Sequence, residues 1–185
     1  MFACSLILFF TMARIGSILP ASQCTPTHLF LTRDCVNFSR EGILITLLHT
    51  KTIQFGERRL HIPLPRSESV LCPVAAYTAS VNRVRHPNPI PAFVYSRGGK
   101  LQWLSPSIFM ETFRELLDRA GIQDSSAYTG HSFRRGGASW AFQSGVPGKL
   151  IQICGDWASD AYKTYLEFNT QNKLDLAALM FKDLP

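Results

Sequence analysis

Within "TGHSFRRGGASWAF", residues 129–142, a histidine, two arginines and two adjacent glycines fall in a stretch that otherwise reads as helix. If Thr129 caps that helix, His131 and Arg134 are three residues apart and share a face. Arg135, four residues from His131, is compatible with the same face. Phe133, Gly137, Trp140 and Ala141 fall on another face and are expected to pack inward. An imidazole beside guanidinium groups suits an anion with a phosphate's shape and charge, because the planar arginine fork matches two phosphate oxygens. The same letters also describe an ordinary basic helix with a packed aromatic face. Gly136 and Gly137 each oppose a helix by about 1 kcal/mol relative to alanine. Such a cost is tolerable where another stretch of backbone must approach closely.

The elements that must hold these groups are mostly helical. Residues 2–19 read as one helix, apolar nearly all round and therefore buried, stopped at Pro20. Two runs near 30–38 and 43–50 flank the polar turn "SREG" and read as a hairpin, with a third strand at 59–64 after a turn around Gly56. Helical spacing returns after Cys72 through Val74, Ala75, Tyr77, Ala79 and Val81, until "RHPNPIP" breaks it. "AFVYS" is a short extended piece before the turn "RGGK". Ser105 is a cap with Pro106 in the first position of a helix that stops at Gly121. Its apolar stripe is Phe109, Phe113, Leu116, Leu117 and Ala120. Helices near 147–153 and 158–168 and an amphipathic tail at 173–182 complete the reading. The expected fold class is α+β, a mainly helical domain with a small early three-stranded antiparallel sheet.

The chain has 185 residues, enough to bury a substantial core as a single domain without disulfides or a structural metal. Lys and Arg number 19 against 13 Asp and Glu, a net charge of +6 that favours an anionic partner such as nucleic acid or an acidic membrane surface. The five cysteines are scattered, with no CxxC pair, and read as reduced core thiols of an intracellular protein. The apolar run at the N-terminus has no Lys or Arg before it, and its first charge is Arg14, which disfavours a signal peptide. A secreted or membrane-associated protein with a leader cut near Cys24 is the competing interpretation.

"HSFRRGGAS" followed by "LIQICGDWASDAYKTYLEF" resembles the C-terminal half of the catalytic domain of tyrosine recombinases, the phage-integrase family, and most of all the versions carried by eukaryotic mobile elements. In that family the H-x-x-R pair precedes a glycine turn, and a nucleophilic tyrosine stands ten residues after the glycine; here Gly155 leads to Tyr165. "FFTMARIGSIL" resembles the helix bearing the first catalytic arginine, here Arg14. "HTKTIQFGERRLHIPLP" resembles the hairpin bearing the catalytic lysine, here Lys51. The resemblance implies cleavage and rejoining of double-stranded DNA through a 3′-phosphotyrosyl link, with no metal and no cofactor. Arg14 and Arg134 would contact the non-bridging oxygens, and His131 would hydrogen-bond the same phosphate and help manage the tyrosine proton. Lys51 would protonate the leaving 5′-oxygen.

Two positions depart from the family pattern. Ser17 stands where an acidic residue is frequent, and Asp156 occupies the place of a histidine or tryptophan, with Trp157 one residue later. A carboxylate there would repel a phosphate unless it points away, and Trp157 becomes the candidate indole donor. The family's N-terminal core-binding domain is expected to be absent, which implies weak, salt-sensitive DNA binding. The resemblance also implies self-association on DNA through the tail "NKLDLAALMF", and a nuclear location if the source is eukaryotic. The alternative function is a catalytically inactive DNA-binding remnant of a mobile-element recombinase. Tyr162, three residues before Tyr165, competes for the role of nucleophile and reads as a packing residue.

Overall fold

The computed structural model describes residues 1–84, 89–166 and 170–182. Its first helix, α1 (Phe2–Thr11), is shorter than the apolar run predicts. Thr11 Oγ1 donates back to the Ile7 carbonyl at 2.6 Å and accepts from the Ala13 N–H at 3.2 Å, turning the helix end inward. Met12 then takes a left-handed conformation, with φ at 52°. Arg14 is extended and starts a single turn, α2 (Ile15–Ile18). The break at residues 12–14 thus replaces the uninterrupted helix expected over 2–19.

The three-stranded sheet is present, with β1 (Val36–Phe38), β2 (Gly42–Leu47) and β3 (Leu60–Pro65) in antiparallel order β1-β2-β3. Val36 faces Ile45, which faces Ile62 across the next pair. Ile43, Ile45, Leu47, Ile62 and Leu64 are all buried, as alternation along a half-buried sheet demands. The strand expected over 30–38 is confined to its last three residues. Upstream, the chain pairs elsewhere: the Ala92 N–H donates to the Leu31 carbonyl and the Arg33 N–H to the Ile90 carbonyl. Arg33 is itself buried, its Nη1 donating to the Val84 carbonyl at 2.6 Å.

After α3 (Pro73–Arg83) comes a second hairpin, β4 (Val94–Arg97) with β5 (Lys100–Trp103), whose return strand the sequence pattern did not predict. Gly98 and Gly99 both have positive φ, the pair of conformations a two-residue hairpin turn requires. α4 (Pro106–Arg119) has the expected cap at Ser105 and stop at Gly121. Only the front of its expected stripe is inside: Phe109 is fully buried, whereas Leu116 and Ala120 are exposed. Phe113 packs on Phe133 in a tilted pair with ring centroids 4.7 Å apart, tying α4 to the next helix.

That helix, α5 (Gly130–Gln143), starts from Thr129 in a capping box closed by Ser132. Phe133 and Gly137 face inward as expected, but Trp140 is exposed. α6 (Gly148–Cys154) follows, then a 3₁₀ turn over Asp160–Tyr165 where an α-helix over 158–168 was expected. Residues 167 and 168 of that expectation, and 85–88 of the expected break after α3, lie outside the described residues. α7 (Thr170–Phe181) leaves Leu174, Leu179, Met180 and Phe181 exposed.

The main core gathers α1, α3, the sheet, Phe109 and Phe133. A second, smaller one joins Met12, Ala138, Ile151, Trp157 and Tyr162. All five cysteines are free thiols; Cys4 and Cys72 are core residues, but Cys24 and Cys154 are exposed, against the expectation that all lie inside. No helix among the described residues is long and apolar enough to cross a membrane.

Candidate active site

The two cores meet where α5 crosses the end of α1, and the crossing is unusually close. A Cβ built on Gly137 would stand 2.1 Å from the Phe9 carbonyl oxygen, so no larger residue fits without moving one helix. Gly136 faces the edge of the Phe9 ring, and Gly130 faces Ile15. This contact answers why glycines interrupt a helix-forming stretch. It also brings Arg134, on α5, against the break in α1.

Arg134 is almost fully buried, and its Nη1 donates to the Met12 carbonyl exposed by that break. Nη2 is equally buried and meets no hydrogen-bond acceptor among the described residues. Buried donors are seldom left so. The guanidinium carbon lies 3.7 Å from the centroid of the Trp157 ring, a face-on cation–π contact. Trp157 therefore meets Arg134 by its face and acts as a platform. Gly155 permits this, since a Cβ there would overlap the Trp157 ring at 1.6 Å.

Arg14 and Arg134 line one small recess together with Thr11, Ser17, Thr50, Gly155 and Asp156. Burial, and then the positive charge of Arg14, pull the Arg134 pKa down to about 10, while Tyr165 and Asp156 pull the other way. Arg134 therefore remains a cation at neutral pH, held beside a like charge. Such a pair gains from an anion placed between its members.

Tyr165 is half-buried, its ring centroid 6.0 Å from that of Trp157 and 5.9 Å from the Arg135 guanidinium carbon. Its carbonyl accepts a hydrogen bond from Ser139 Oγ, which fixes its backbone to α5. Tyr162 is buried in the second core, the packing position expected for it. Of the six residues singled out in the sequence, Arg14, Arg134, Trp157 and Tyr165 thus form one connected group. No side-chain contact among the described residues ties Lys51 or His131 to that group: both are exposed, Lys51 lying between Thr50 and Thr52 and His131 one helical turn before Arg134.

Asp156 was the expected source of repulsion, and its surroundings neutralise it. Oδ2 accepts from Thr50 Oγ1 at 2.7 Å and from Thr52 Oγ1, and Oδ1 pairs with Arg58 Nη2. Burial opposes its ionisation, but the hydrogen bonds from Thr52, Arg58 and Thr50, with the charge of Arg58, hold its pKa below the ordinary carboxylate value. Sequence reasoning missed these partners, which lie about a hundred residues away along the chain.

No family model and no curated protein matches the chain. Solved structures do. XerA recombinase superimposes with a TM-score of 0.69 at 18% identity, over 98% of this chain and 57% of its own. XerH site-specific recombinase, in a post-cleavage complex with a palindromic difH substrate, gives 0.65 at 16% identity, over 98% and 45%. The Tn1549 transposon integrase in complex with a circular intermediate DNA gives 0.58 at 15% identity, over 98% and 58%. The chain spans about half the length of these proteins. The fold of this chain is that of the tyrosine recombinase catalytic domain.

Proposed function

We propose that this chain cleaves and rejoins DNA strands in site-specific recombination or integration. Tyr165 Oη attacks a backbone phosphorus, forming a P–O bond to tyrosine as the bond from phosphorus to the 5′-oxygen breaks. The products are a 3′-phosphotyrosyl link and a free 5′-hydroxyl. The tyrosine proton leaves with help from His131, and the 5′-oxygen gains one from Lys51. Arg14 and Arg134 hold the non-bridging oxygens and stabilise charge that grows in the transition state. Trp157 keeps the Arg134 guanidinium in plane. Reversal by a 5′-hydroxyl rejoins the strand, because the phosphotyrosine conserves the bond energy.

The observation that supports this reading best is the buried Arg134 guanidinium, bonded to Met12 on one nitrogen and unpartnered on the other, at a recess shared with Arg14. An anionic oxygen fits that vacant donor. Double-stranded DNA is the proposed partner, in line with the DNA complexes of XerH and the Tn1549 integrase. The exposed apolar residues of α7 support self-association on that DNA.

A nicked duplex that traps the cleaved strand tests the proposal. Wild type is expected to give a covalent protein–DNA adduct on a denaturing gel, lost in Tyr165→Phe and retained in Tyr162→Phe. The opposite pattern moves the nucleophile to Tyr162. Salt-dependent DNA binding without an adduct would identify an inactive DNA-binding remnant instead.

A further inference from the structure

Between β2 and β3 the chain makes a miniature hairpin. Thr50 and Ile53 exchange both backbone hydrogen bonds, at 3.0 and 3.2 Å, leaving Lys51 and Thr52 as its two-residue tip. Ile53 is fully buried and pins one side. The hydroxyls of Thr50 and Thr52, flanking Lys51, both point to Asp156, and Arg58 reaches the same carboxylate from the far end of the loop. One side chain, with both oxygens engaged, therefore gathers three points of the lysine-bearing segment. Asp156 also has a left-handed backbone, with φ at 56°, and directly precedes the Trp157 platform under Arg134. The lysine turn and the arginine platform are thus fastened to adjacent residues.

We propose that Asp156 is a positioning residue that sets Lys51 at the leaving oxygen by clamping Thr50, Thr52 and Arg58. The inference rests on the strand-cleavage reading given above. It reverses the meaning of a residue whose charge otherwise argues against phosphate binding. Asp156 touches no reacting atom in this scheme; it acts through Lys51, as a supporting residue whose hydrogen bonds fix another group's geometry.

The leaving group provides the test. Replacing the bridging 5′-oxygen of the scissile phosphate with sulfur makes the departing group a thiolate. A thiol has a pKa of about 8.5, so its anion leaves without a proton donor. If Asp156 works through Lys51, Asp156→Ala should slow adduct formation on the oxygen substrate about 100-fold, within the range for losing a general acid. On the sulfur substrate it should lie within roughly threefold of wild type. Lys51→Ala should show the same selectivity, and Asp156→Asn, which keeps the shape but not the charge, an intermediate one. Equal slowing on both substrates, or no slowing on either, overturns the proposal.

A second measurement does not depend on cleavage. Amide hydrogen exchange across residues 50–58 should quicken in Asp156→Ala and Asp156→Asn while exchange in α4 stays unchanged. Unaltered exchange at the turn also overturns the clamp. Absence of any wild-type adduct would instead count against the cleavage reading, with exchange still deciding whether Asp156 clamps the turn.

Discussion

Gly136 and Gly137 are adjacent on α5, yet alanine at the two positions should have opposite effects. At Gly137 the added methyl would sit 2.1 Å from the Phe9 carbonyl oxygen, and reaching even 3.0 Å requires α1 and α5 to part by about 0.9 Å. The obstacle is backbone, so no rotamer change relieves it. Overpacking of this kind costs about 1–3 kcal/mol, and a backbone clash belongs near the top of that range. Alanine returns about 1 kcal/mol of helix propensity, which leaves Gly137→Ala about 2 kcal/mol less stable. For a domain of this size that lowers Tm by about 4–8 °C. At Gly136 the methyl would meet the Phe9 ring edge at 3.2 Å, a contact relieved by a few tenths of an ångström. Gly136→Ala should therefore equal wild type or exceed it by up to about 1 kcal/mol. Thermal and urea unfolding followed by circular dichroism measure both, with an unchanged m-value marking a pure stability effect. Gly137→Ala should also lose strand cleavage beyond its stability loss, because a shift of that size lengthens the Arg134 bond to Met12 and moves the guanidinium relative to the end of α1. A Gly137→Ala protein at least as stable as wild type would refute the argument that close helix approach selects glycine here.

Arg134→Lys retains the charge but loses the planar fork and the stacking on Trp157. It should reduce adduct formation about 100-fold, as removal of one preorganised donor does, while DNA binding at low salt changes little; near-normal cleavage would contradict the role given to the fork. The Asp156 clamp should depend on pH in one direction only. Its folded pKa lies below the ordinary carboxylate value, so its contribution is present above that value and is lost as pH falls through the lower folded one. Exchange at residues 50–58 should thus be pH-independent near neutrality, after correction for intrinsic rates, and accelerate only in strong acid. Acceleration already between pH 5 and 7 would point to a different group.

Much of this arrangement could be read from local signals, and the failures were mainly non-local. Thr129 and Ser105 announce their helices because a cap acts on the next two or three residues, and Gly121 announces a stop for the same reason. The left-handed Met12 leaves no such mark. Its conformation is selected by Thr11 and by Arg134, 122 residues further on, while the surrounding letters continue an apolar run. The burial of Phe133 against the exposure of Trp140 likewise depends on which neighbour covers each face, not on spacing along α5. The strand Lys100–Trp103 is too short for alternation to declare it. Asp156 was legible as an anomaly, but its meaning lay in Thr50, Thr52 and Arg58, which share no sequence neighbourhood with it.

The crossing of α1 and α5 also bears on the order in which the polypeptide emerges. α1 is almost wholly apolar and packs on α3 and α5. At about 5–20 residues per second, some 6–24 s of synthesis separate Met12 from the arginine that takes its carbonyl, 122 positions later. Throughout that interval the first helix has only part of its burial partner on the ribosome. A nascent chain of this kind should associate with holdase chaperones early and be released only once the segment around Gly137 has been made.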